Sequence, residues 1–161
     1  MQRLFHEFPP IYSSSSKVLI LGSFPSVKSR EISFYYGHKM NRFWKVLVEL
    51  FKEKLPQNNS ERRQMIIDHH LALWDVIESC EIVGSADSSI RNVKVNNIEK
   101  LIAEIPVRLI VCNGNTAYRL FQKYIKDVDV KILKLPSTSP ANASWHLSDL
   151  VDKYKIILSY I

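Results

Sequence analysis

No apolar run in these 161 residues approaches the roughly 20 needed to cross a bilayer. The N-terminus has no basic stretch followed by an apolar core, so no export is expected. Only two cysteines occur, Cys80 and Cys112. That number cannot supply a four-cysteine zinc or iron–sulfur site. Cys112 falls in a strand-like run, so both read as buried thiols. His69 and His70 have no partners at metal-ligand spacing, and no metal is expected. Neither a Walker pattern nor a G-x-G-x-x-G is present, which argues against a nucleotide cofactor. The expectation is a cytoplasmic monomer with no cofactor and no membrane partner.

Positive charge is in surplus. Lys and Arg number 22 against 16 Asp and Glu, a formal net charge of +6. A basic surface favours an anionic partner, nucleic acid first. The length fits one domain spanning 1–161.

Residues 1–16 read as an N-terminal arm. Pro9-Pro10 and the serines at 13–16 make it turn-rich, and Leu4, Phe5 and Phe8 are expected to pack it on the body. The apolar runs at 17–21, 71–76, 108–112 and 130–135 read as four strands. Helical spacing places helices at 41–52, 60–68, 95–104, 116–126 and 144–160. The last is open to a break near Lys155, with Ile156–Leu158 as an alternative strand. Asn41 and Ser60 stand at N-cap positions, Asn113-Gly114 reads as a turn, and 81–92 reads as a polar loop.

Strands alternating with helices imply parallel pairing through right-handed crossovers. The expected fold is a three-layer α/β/α sandwich around a central, mainly parallel four-stranded sheet. Ligands of such sheets bind beyond the carboxyl ends of the strands. Gly22–Ser26, Trp74–Val76, Asn113–Asn115 and Pro136–Pro140 would share that rim. Segment 23–40 joins the first strand to the first helix. It holds Phe24, Phe34, Tyr35, Tyr36, His38 and Lys39. Long loops are functional or disordered and disordered ones are poor in aromatics, so this one reads as a binding loop.

Four segments in order, GSFPS at 22–26, NRFW at 41–44, CNG at 112–114 and LPSTSPANA at 135–143, resemble the uracil-DNA glycosylase superfamily. They look most like its hypoxanthine-DNA glycosylase (DNA-deoxyinosine glycosylase) branch. The mismatch-specific uracil/thymine glycosylases are next nearest. The resemblance spans roughly residues 17–145 and implies a parallel sheet between helices. It departs from most branches at Phe24, where they carry the Asp or Asn that activates water.

The resemblance implies hydrolysis of an N-glycosidic bond in double-stranded DNA that contains a deaminated base. Hypoxanthine comes first and uracil in mismatches second. It makes Asn41 and Asn113 the catalytic amides. Asn41 would orient water through its amide oxygen; from spacing alone it reads as a helix cap, and the two roles are compatible. Phe24 is a candidate stacking platform for a flipped base, with Tyr36 and Phe43 behind it as base-binding candidates, although core packing is the plainer reading of Phe43. Asp75 sits where relatives read the base, and its carboxylate would accept from the N1–H of a purine. A solvated strand-end acid is its plainer reading. Ser137, Thr138 and Ser139 resemble a loop that grips DNA phosphates, with Lys28, Arg30, Lys39 and Arg42 adding charge beside it. His38 is a candidate proton donor to the departing base. A catalytically silent module that binds mismatched DNA fits the same residues, as does a nucleotide-binding α/β protein.

Overall fold

The computed structural model describes residues 2–161. Met1, the first residue of the expected arm, lies outside them. In chain order the first half contains β1 (Arg3–Phe5), β2 (Val18–Gly22), α1 (Val27–Ile32), α2 (Phe43–Phe51), α3 (Asn59–Asp68) and β3 (Leu71–Asp75). The second half contains β4 (Ile77–Glu81), β5 (Arg91–Val95), α4 (Ile98–Glu104), β6 (Leu109–Asn113), α5 (Asn115–Tyr124), β7 (Lys131–Leu135) and α6 (Leu147–Tyr154).

The expected central sheet is present. It has four strands in the order β3-β2-β6-β7, all parallel. Val18 to Leu21 have no exposed surface, as strands covered on both faces require. Alternation sends Val18 and Ile20 to one face and Leu19 and Leu21 to the other. The first face meets Leu47 of α2, Ile66 of α3 and Leu150 of α6. The second meets Leu101 of α4 and Leu120 and Phe121 of α5. Register aligns Gly22 with Asp75 and Asn113 with Leu135. All four strands therefore end on one rim.

A second sheet, antiparallel and ordered β1-β4-β5, was not expected. It converts part of the arm, and both ends of the expected loop at 81–92, into strands. Ile11 further ties the arm to the central sheet by exchanging two backbone hydrogen bonds with Leu73, at 3.0 and 2.9 Å. Phe8 is buried as expected, whereas Phe5 projects outward.

Several boundaries move for local reasons. The helix expected from Val95 starts at Ile98, because Val95 belongs to β5 and the Asn97 side chain accepts from the Lys100 N–H. Asn58 rather than Ser60 caps α3 by accepting from the Glu61 N–H at 2.8 Å. Asn41 stands one residue ahead of the Arg42 cap of α2, yet its Oδ1 accepts from the Phe43 N–H at 2.9 Å. Segment 23–40 contains α1, capped by Ser26. The terminal helix breaks at Lys155 into a 3₁₀ turn over Lys155–Ser159, not a strand.

Candidate active site

The rim opens into a cleft of about 1050 Å³. The strand ends supply Gly22, Asp75, Asn113 and Leu135, and segment 23–40 adds Phe24, Tyr35 and Tyr36. The loop after β7, Trp145 and the turn at Ser85–Ser88 complete the lining.

Asp75 is 4% exposed. His6 Nε2 donates to its Oδ2 at 2.7 Å. The other oxygen, Oδ1, has no protein donor among the described residues and sits beside Gly22. A Cβ on Gly22 would lie 2.4 Å from Asp75 Oδ1 and 3.2 Å from the Tyr36 hydroxyl. An acceptor and a donor therefore converge on one point of the cleft. The Tyr36 hydroxyl is the one buried side-chain polar atom without a hydrogen-bond partner among the described residues. Burial, reinforced by the Asp75 carboxylate, holds its phenol well above the ordinary tyrosine range. It keeps its proton at any physiological pH. A buried orphan donor costs about 1–3 kcal/mol, which marks the position as one a ligand would satisfy. Tyr36 also holds a left-handed backbone conformation, φ 53°, uncommon for an aromatic residue.

Thr138 joins the two amides. Its backbone N–H donates to Asn113 Oδ1 at 3.0 Å, and Asn113 Nδ2 donates to its hydroxyl at 3.0 Å. The hydroxyl donates to Asn41 Oδ1 at 2.8 Å. Asn41 and Asn113, expected as a catalytic pair, are thus brought together on one wall. The Asn41 oxygen already accepts twice, from Thr138 and from Phe43. That corrects the expectation that it holds water through this atom.

Other expectations change as well. Phe43 has no exposed surface and stacks behind Tyr36, ring centroids 4.1 Å apart. It supports the platform and cannot touch a base. Thr138 is fully buried, so its side chain cannot reach a phosphate. Arg42 turns its guanidinium onto the loop after β7, donating to the carbonyls of Ser139 at 2.8 Å, Asn142 at 3.1 Å and Trp145. Arg30 is likewise engaged, donating to Gly84 O at 2.6 Å. His38 is exposed, accepts from the Met40 N–H and lies outside the cleft wall. Lys39 is exposed on the same turn, and Lys28 pairs with Glu31. Ser137 and Ser139 line the cleft with Phe24.

Arg42 therefore acts as a clamp. Arg42→Ala should lower stability by about 1.5–3 kcal/mol, the worth of a hydrogen-bonded charge, and loosen residues 137–146. Lys, a point charge without the planar fork, should not restore it. Thermal melting and amide exchange of that loop read both effects. An unchanged melt with a protected loop would remove Arg42 from this role.

The sequence reading missed His6, Asp87, Lys134 and Lys153. His6 had a signal: Leu4, His6 and Phe8 alternate as one strand face. Asp87 accepts from Ser23 Oγ at 3.2 Å, and it lines the cleft with Lys134 and Lys153. Nothing local marked these three.

The sequence pattern of the uracil DNA glycosylase superfamily matches residues 9–158. A protein of Methanosarcina acetivorans named hypoxanthine DNA glycosylase is 32% identical over 137 residues, covering 84% of this chain and 86% of that one. Its namesake from Methanosarcina barkeri is 29% identical over the same shares. The solution NMR structure of "a putative Uracil DNA glycosylase from Methanosarcina acetivorans" superposes with a TM-score of 0.79 at 27% identity, covering 94% of this chain and 96% of that one.

Proposed function

The chain belongs to the uracil DNA glycosylase superfamily, and we propose that it hydrolyses the N-glycosidic bond of a deaminated base flipped from duplex DNA, hypoxanthine first. It works as a monofunctional glycosylase and leaves an abasic site. The observation that carries the base assignment is the pair beside Gly22, Asp75 Oδ1 as acceptor and the Tyr36 hydroxyl as donor. Deamination of adenine replaces an amino group and a bare ring nitrogen with a carbonyl and an N–H. Hypoxanthine then offers N1–H to Asp75 and O6 to Tyr36. Adenine presents the reverse pattern and leaves both protein groups unpaired, an arrangement that discriminates strongly. Uracil carries the same O=C–N–H edge, so uracil in mismatches is a second substrate.

Phe24, 8% exposed on the cleft wall, stacks on the flipped base, a contact worth roughly 1–3 kcal/mol. Extrusion costs a few kcal/mol, least at a weak pair such as T·I. Ser137 and Ser139 offer hydroxyls to the phosphates, with Lys39, Lys134 and Lys153 supplying charge. The bond to C1′ breaks through a transition state resembling an oxocarbenium ion. An amide cannot take a proton at neutral pH, so catalysis rests on positioning and on stabilising the departing base.

The test is single-turnover incubation with duplexes containing deoxyinosine, deoxyuridine or deoxyadenosine, followed by alkali. Strand breaks are expected first from deoxyinosine, more slowly from deoxyuridine, and not from deoxyadenosine. Salt-sensitive mismatch binding without breaks would instead establish a silent binding module.

A further inference from the structure

Thr138 sits between the two amides with no exposed surface, and its hydrogen bonds fix how each amide is turned. Two of the donors cannot be reversed, the backbone N–H groups of Thr138 and Phe43. The first faces Asn113, so the atom it meets is Asn113 Oδ1, at 3.0 Å. Asn113 Nδ2 must then face the Thr138 hydroxyl, and that oxygen acts as acceptor, at 3.0 Å. A hydroxyl has a single proton. Thr138 directs it to Asn41 at 2.8 Å, so the receiving atom is Asn41 Oδ1. The Phe43 N–H, 2.9 Å from the same oxygen, requires that orientation independently. Both lone pairs of Asn41 Oδ1 are thereby filled. Asn41 Nδ2 has no protein partner among the described residues, and Asn41 lines the cleft.

We propose that Thr138 is the positioning residue of this site, fixing Asn41 as a hydrogen-bond donor, so that Asn41 donates to the departing base and does not hold the attacking water. This rests on the glycosylase reading above. As the bond from C1′ to the base nitrogen breaks, its electron pair moves onto the base. Negative charge grows on the ring nitrogens and O6, where an N–H donor is worth most. The water oxygen then bonds to C1′ and its proton passes to solvent. A cation so electrophilic needs no strong base. The absence of an acidic side chain at Phe24 is consistent with this division of labour.

The experiment compares single-turnover base release from a deoxyinosine duplex for five variants. Thr138→Val, isosteric but without the hydroxyl, should slow release by about 10–100-fold, the usual cost of removing an orienting partner, with duplex affinity nearly unchanged. Thr138→Ser should recover most of that rate. Asn41→Asp keeps an acceptor and loses the donor, so it should be as slow as Asn41→Ala. Because Thr138 acts through Asn41, Thr138→Val combined with Asn41→Ala should be no slower than Asn41→Ala alone. A folded Thr138→Val with the wild-type rate, an active Asn41→Asp, or multiplying losses in the double variant would each overturn the proposal.

A wild-type protein inert on deoxyinosine would count against the glycosylase reading instead. The network is then read on the free protein by NMR. The Asn113 side-chain amide should exchange slowly in the wild type and quickly in Thr138→Val. Equal exchange in the two would overturn the positioning role.

Discussion

Asn41→Ala should slow release of hypoxanthine by about 10²–10³-fold, the cost measured elsewhere for deleting one preorganised donor. Duplex affinity should stay within about threefold, because a donor felt mainly in the transition state lowers the rate without weakening ground-state binding. The size follows from how firmly the amide is held. Thr138 and Phe43 both donate to its oxygen, so no reorganisation is needed when charge develops. The same deletion orphans a buried hydroxyl and a backbone N–H, a stability cost of about 1–3 kcal/mol each at most. Melting must therefore accompany the kinetics. A folded Asn41→Ala protein with near-normal turnover would refute the assigned role, whatever its DNA affinity.

The central sheet was legible because each strand is a short continuous apolar run, 18–21 and 109–112 above all, buried on both faces. Parallel pairing followed from helices between strands, and the shared rim followed from parallel pairing. The second sheet was illegible for an equally physical reason. The β1 strand has three residues, and β4 and β5 read IESCE and RNVKV, each half polar. Their pairing joins Leu4 to Cys80 and Ile77 to Val95, contacts that no local window contains. Alternation marks the face of His6 but not its partner, since it reaches Asp75 only because β1 docks on β4.

The candidate site divides in the same way. Asn41, Asn113 and Asp75 lie at element ends, where spacing and motif locate them. Phe43, Arg42 and Thr138 occupy the same motifs, yet they face inward. Helical phase cannot tell an aromatic that touches a base from one that backs the aromatic that does. Arg42 carries charge, and charge alone suggested phosphate. Its surroundings are four backbone carbonyls, which only the folded loop brings together. On the proposed reading, the edge of the base would be met by Asp75 at the end of β3 and by Tyr36, and the departing charge by Asn41, whose amide is held by Thr138 of the loop after β7.

Gly22→Ala tests the first of these contacts with the smallest change available. The new methyl would stand 2.4 Å from Asp75 Oδ1 and 3.2 Å from the Tyr36 hydroxyl. The carboxylate has little freedom to retreat. Its other oxygen is held by His6 at 2.7 Å, and the Asp75 carbonyl is held by Asn96 at 2.9 Å. The methyl also occupies the point where N1–H and O6 of the base would meet their partners. Base release should fall by about 10²-fold or more, since a site built to pair a polar edge loses about 10⁴–10⁵ in discrimination when that pairing fails outright. Overpacking should cost about 1–3 kcal/mol of stability, measurable by urea titration. Gly84→Ala is the control. It also imposes a side chain on a left-handed residue, φ 58°, but in open space. It should lose about 1 kcal/mol or more of stability and keep its base release. If Gly22→Ala released hypoxanthine like the wild type, the base edge would have to be read somewhere other than beside Gly22.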